Sequence, residues 1–168
     1  MNMEGSLNIK EKQLVYLSAS IAAGCHPCTK YHLRKSREAG LTDIEINKIL
    51  ALTTSIRDNA TNYMGSFAHN QKTADKLEVE NRESRNRDDI LVGIAASYST
   101  NFPVGLEKYL STAINIGISD VELSDIINLS KFVVDKARAH VEMITDKIGI
   151  EQQGENINEK DCCSSCDC

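Results

Sequence analysis

Apolar residues along this chain recur at intervals of three and four and rarely alternate. Ile46, Ile49, Leu50 and Ile56 follow helical spacing, as do Leu123, Ile126, Ile127 and Val133. No alternating run is bounded by turn signals, so strands are not expected. The pattern predicts helices over 9–23, 27–39, 43–58, 60–80, 87–100, 104–116 and 120–147, six to seven in all. Gly40 and Gly117 fit the position just past a helix C-terminus. Thr42-Asp-Ile-Glu45 and Ser119-Asp-Val-Glu122 each read as a capping box opening the next helix.

These signals occur twice. Residues 14–60 align with 91–137 at a constant shift of 77, without a gap, and 12 of the 47 pairs are identical. LVYLSASIAAGCHPCTKYHL stands over LVGIAASYSTNFPVGLEKYL, and AGLTDIEINKILAL over IGISDVELSDIINL. A period this long does not suit a solenoid, so one duplicated helical unit is expected. The expected organisation is a single all-α domain over 1–150, with repeats at 9–80 and 87–147. The charged stretch KLEVENRESRNRDD between them reads as a solvated helix end, and 151–168 as a flexible acidic, Cys-rich tail.

Composition narrows the function. The chain has 168 residues, 5% aromatics and no Trp, which suits helices packed through aliphatic side chains. The net charge is −5, and five acids against one lysine in 151–168 account for most of it. The body is close to neutral and has no basic patch, so nucleic acid is not an expected partner. No segment approaches 18 uninterrupted apolar residues, and MNMEGSLNIK lacks the apolar run of a signal peptide. The expectation is no membrane and a cytoplasmic location, where close cysteines suggest catalysis or metal binding before structural disulfides.

The chemistry concentrates in AGCHPCTKYH, residues 23–32. Gly24 is expected to end one helix, and Pro27 fits the first turn of the next. Cys25 then lies at a helix N-terminus, where free N–H groups and the dipole favour a thiolate. Cys28 and His32 are four apart and share a helix face. Two thiols within disulfide reach, one beside an imidazole, are what dithiol–disulfide exchange requires. Zinc is the rival reading, with Cys25, Cys28 and His32 as ligands and His26 or the tail as fourth; a packing role is the bland one. In the second repeat Cys25, Cys28 and His32 become Phe102, Gly105 and Tyr109. That copy keeps the scaffold without the reactive groups, which favours function over packing.

AAGCHPCTKYH followed by AGLTDIEI resembles the alkylhydroperoxidase D-like branch of the carboxymuconolactone decarboxylase family. The likeness covers most of residues 9–60, with a weaker echo over 87–145. It implies an all-α fold that self-associates, trimers being favoured for two-repeat members. It also implies thiol-dependent reduction of peroxides or disulfides, with Cys25 and Cys28 as the redox pair, His32 in the proton relay and no separate cofactor. The electron donor would be a protein or a small thiol. Two departures bear on this. Where the family commonly has a Glu twelve residues before the first Cys, this chain has Gln13, whose amide can hydrogen-bond but cannot ionise. Glu11 lies about 200° away around a helix. The His that alkylhydroperoxidase D has before its second Cys is Pro27 here, with His26 one place earlier. The spacing does not rank the two sulfurs; the neighbouring imidazole favours Cys28 as the attacker.

The tail CCSSCDC supplies Cys162, Cys163, Cys166 and Cys168, a set able to hold a soft metal or metalloid or to relay electrons to the first pair. A metal- or metalloid-binding protein using both cysteine groups is therefore the competing function. His69 and His140 stand in no motif and are expected at the surface or core edge, and Tyr31 in packing.

Overall fold

The computed structural model describes residues 6–69 and 86–147. The tail cysteines and most of the charged linker lie outside the described residues. The architecture is all-α: α1 Ile9–Ala22, α2 His26–Glu38, α3 Asp43–Ala68, α4 Arg87–Ser99, α5 Pro103–Asn115 and α6 Asp120–Lys147. Helices α2 and α5 begin and end 77 residues apart, and α3 and α6 begin 77 apart. Each half is thus a short, a short and a long helix in the same register. None of the described helices is long and apolar enough to cross a membrane.

One expectation is corrected. A break between 58 and 60 does not occur, and α3 runs continuously through Asn59 to Ala68. Buried Ile56 and Ala60 and half-buried Tyr63 continue one stripe across the polar Asp58-Asn59 pair. Burial of that face holds the turn helical despite its weak local propensity. The part of the predicted 60–80 helix beyond residue 69 lies outside the described residues.

Helices α1 and α4 form the centre. Leu14 to Ser20 and Ile90 to Ser97 are unbroken runs of buried residues, as expected of helices enclosed on all sides. The two pack most extensively on each other; α1 also meets α2, α3 and α6, and α4 meets α3, α5 and α6. Small residues permit the close approach: Ser18, Ala19 and Ser20 correspond to Ala95, Ala96 and Ser97, all without solvent exposure. The Ser18 and Ser20 hydroxyls donate to the carbonyls of Val15 and Leu17 at 3.1 and 2.8 Å, so these buried polar groups are satisfied within the helix.

The helix ends obey the sequence signals. Gly24, Gly40 and Gly117 have φ of 70°, 86° and 83°, and Asn101 takes the equivalent place with φ 53°. After α1, the Gly24 N–H donates to Ile21 O and the Cys25 N–H to Ser20 O, the paired bonds of a Schellman motif. Thr42 and Ser119 each exchange hydrogen bonds with Glu45 and Glu122 three residues on. Each of these glutamates also reaches across to its repeat's first helix, Glu45 to Lys10 at 2.7 Å and Glu122 to Arg87 at 2.5 Å. Lys10 and Arg87 are themselves 77 apart, so one ion pair is built twice.

The second repeat refilled the space of the reactive groups by paired exchanges. In the first repeat Tyr16 stacks on His32; in the second these positions are Gly93 and Tyr109, and a Cβ at Gly93 would run into the Tyr109 ring. Likewise Cys25 and Cys28 correspond to Phe102 and Gly105, and a Cβ at Gly105 would overlap the Phe102 ring. We therefore expect Gly93→Ala to destabilise the fold, because an overpacking cost of about 1–3 kcal/mol exceeds the roughly 1 kcal/mol that helix propensity returns. Denaturant titration of a double-mutant cycle with Tyr109→Ala checks this: removing the ring should relieve most of the Gly93→Ala penalty.

Candidate redox site

The site begins at the turn between α1 and α2. The Schellman bonds and the positive φ of Gly24 end α1 and bring Cys25 into the N-cap position of α2 with extended backbone, φ −86° and ψ 100°. Arg57 of α3 braces this turn, its guanidinium donating to Ile21 O at 2.7 Å. A cation there also complements the carbonyl end of α1. Cys25 caps with sulfur: its Sγ accepts from the Cys28 N–H at 3.3 Å. Phe102, its counterpart in the second repeat, makes no side-chain cap. Cys25 and Cys28 are joined as a disulfide with Cα atoms 5.3 Å apart, and both are 6% exposed.

His32 lies one turn beyond Cys28 on α2 and is 2% exposed. Its ring lies flat against Tyr16 of α1, centroids 4.7 Å apart and planes 9° from parallel. Tyr31 meets it edge-on at 5.1 Å, with Arg34 and Lys35 over the Tyr31 ring. Burial lowers its pKa from 6.5 to about 4, so the imidazole is neutral at ordinary pH. Its Nδ1 is buried without a hydrogen-bond partner, and so is the Oε1 of Gln13 on α1. Among the described residues, Ser36, Thr53, Ser97 and Ser99 also carry a buried side-chain oxygen with no hydrogen-bond partner, so this feature is not confined to the cysteine site.

The other candidates separate. His26 is the exposed first residue of α2, and His69 the exposed C-cap of α3. Glu11 turns from the relay position to bind Arg87 at 2.7 Å, and it closes the capping box at Asn8. A cavity of about 160 Å³ lies between α1, α3 and α4, and none of its lining residues belongs to the cysteine site.

His140, expected at the surface or core edge, is half-buried on α6, and its imidazole joins the sulfurs of Cys25 and Cys28. The three donor atoms lie within 4.8 Å of one another. No motif surrounds His140, which comes from the other repeat. The register does hold a signal: Tyr63 is 77 residues before it, and Tyr63 packs on Phe102, 77 after Cys25, with ring centroids 5.7 Å apart. His140 over the cysteine pair is the pseudo-symmetric copy of that contact.

His32 should make stability depend on pH. Its folded pKa lies below its unfolded value, so its contribution is present above about pH 6.5 and is lost as pH falls towards 4. The lowering corresponds to about 3 kcal/mol. His32→Phe should remove that part of the acid loss between pH 6.5 and 4, measured as the change in Tm against the parent with its disulfide intact.

No curated protein and no solved structure gives a significant match to this chain. Residues 1–63, which carry α1, α2, most of α3 and both cysteines, match the carboxymuconolactone decarboxylase family. The likeness to that family is thus a likeness of the first repeat, the one that carries Cys25 and Cys28.

Proposed function

We propose that this protein is a dithiol–disulfide oxidoreductase of the alkylhydroperoxidase-like kind, cycling Cys25 and Cys28 between dithiol and disulfide. The observation that carries the reading is the cysteine pair at the start of α2, with a sulfur at the N-cap and a neutral imidazole one turn on. The helix N-terminus and the Cys28 N–H favour negative charge on the Cys25 sulfur. His32 shares the helix face of Cys28 and is assigned its proton, as a weaker base than a free imidazole.

With a disulfide substrate, the Cys28 thiolate attacks one substrate sulfur and releases the first substrate thiol. Cys25 then attacks Cys28 in the mixed disulfide, releases the second thiol and leaves the Cys25–Cys28 bond. With a hydroperoxide, Cys28 takes the terminal oxygen to give a sulfenic acid and an alcohol, and Cys25 displaces water from it. A thiol donor, protein or small molecule, returns two electrons and two protons to restore the dithiol.

Gln13 supports disulfides as the better substrate class. Its carbonyl can accept a hydrogen bond from an imidazole, but it cannot hold the proton that a relay carboxylate would. Large exposed apolar side chains on α3 and α6, including Leu50, Phe67, Val141 and Ile144, support self-association.

Turnover of a panel of disulfides and hydroperoxides tests the reading, alongside peptide mapping of the oxidised protein. The parent should show a reversible Cys25–Cys28 bridge and turn over disulfides faster than peroxides. Cys28→Ser should lose turnover by at least about a hundredfold, a loss of about 2.7 kcal/mol of transition-state stabilisation, with helix content by circular dichroism unchanged. A parent that forms the bridge but reduces neither substrate class would sink the enzyme reading.

A further inference from the structure

Beyond electron transfer, the same cysteines meet a third donor that the redox cycle does not use. We propose that reduced Cys25 and Cys28, together with His140 of α6, form a binding site for a zinc-like divalent cation that excludes the disulfide. Two thiolates and an imidazole are a borderline-soft donor set, and Cys-x-x-Cys is a usual chelating spacing for zinc.

The geometry is close to what such an ion needs. Tetrahedral coordination at zinc–sulfur and zinc–nitrogen lengths separates donors by roughly 3.5–3.8 Å. The three donor atoms already lie within 4.8 Å of one another, so small side-chain adjustments suffice once the sulfurs are unbonded. The Cys28 N–H that points at Cys25 Sγ would then support a ligating thiolate from outside the coordination sphere. Three protein donors leave a fourth position for water or an incoming thiol.

Electrostatics point the same way. Both cysteines are 6% exposed, and two thiolates in so dry a place repel one another and lack hydration. The helix N-terminus offers about half a charge, enough to favour one thiolate but not two. A divalent cation neutralises both, and the two thiols release two protons as it binds. Oxidation to the disulfide removes two electrons and both thiolate ligands, so the cation must leave.

The internal repeat argues that the three donors belong together. At the matching positions Cys25, Cys28 and His140 are Phe102, Gly105 and Tyr63. Tyr63 and Phe102 keep the contact between the long helix and the cap position, now with no sulfur or imidazole.

The test uses the full chain with Cys162, Cys163, Cys166 and Cys168 changed to Ser, so that tail thiols do not contribute. Reduced anaerobically with a phosphine, it is titrated with Co²⁺ and then Zn²⁺. The expected result is one Co²⁺ per chain with thiolate-to-cobalt charge-transfer and tetrahedral bands, displaced by Zn²⁺. The disulfide form should bind none, and bound Zn²⁺ should protect both thiols from alkylation. His140→Ala should weaken binding by at least roughly tenfold, the lower bound set by losses of outer-shell partners. His140→Cys should restore it, with circular dichroism confirming the fold of both variants. Absence of the charge-transfer band, or unchanged affinity in His140→Ala, overturns the proposal. Disulfide turnover by the metal-free parent is read separately, so loss of the cation site and loss of the redox activity are distinguishable outcomes.

Discussion

Everything in this fold depends on the close packing of α1 against α4. Both helices are enclosed on all sides, and their contact is built from Ser18, Ala19 and Ser20 and their counterparts Ala95, Ala96 and Ser97. Larger side chains at that crossing would push the helices apart and carry the outer helices with them. The turn after each central helix delivers the next helix start to a fixed place. Cys25 and Phe102 occupy the same point of two equivalent units for that reason.

Given this frame, the two units are alternative solutions to one packing problem. The first fills the space with Tyr16 on His32 and with a cysteine pair. The second fills it with the Tyr109 ring over Gly93 and the Phe102 ring over Gly105. In the second unit each ring takes the space that a glycine at its partner position leaves free, so the two changes of each pair go together. The fold therefore does not require the thiols, but it does require something in their place.

The environment also sets what the site can do. Desolvation holds His32 neutral and makes it a weaker base than a free imidazole, so it is no standing positive charge in the site. The start of α2 and the Cys28 N–H face the Cys25 sulfur, Arg57 braces the turn before it, and His140 comes across from α6. The site draws on both halves of the duplication, although its cysteines lie in one.

The sequence by itself determined the helices, because caps and apolar periodicity are local signals read within a turn or two. It determined the duplication, through a register that Gly40 and Gly117 and the two capping boxes keep without a gap. It also marked Cys25, Cys28 and His32, since a helix start and a four-residue spacing bring them together on one helix. Local signals misjudged the polar pair Asp58-Asn59, where burial of Ile56 and Ala60 keeps α3 continuous. Tertiary structure alone decided that His32 is dry, that Glu11 is taken by Arg87, and that His140 faces the cysteine pair. Those facts come from contacts between helices far apart in the chain, and periodicity says which face of a helix is buried but not which side chain it meets.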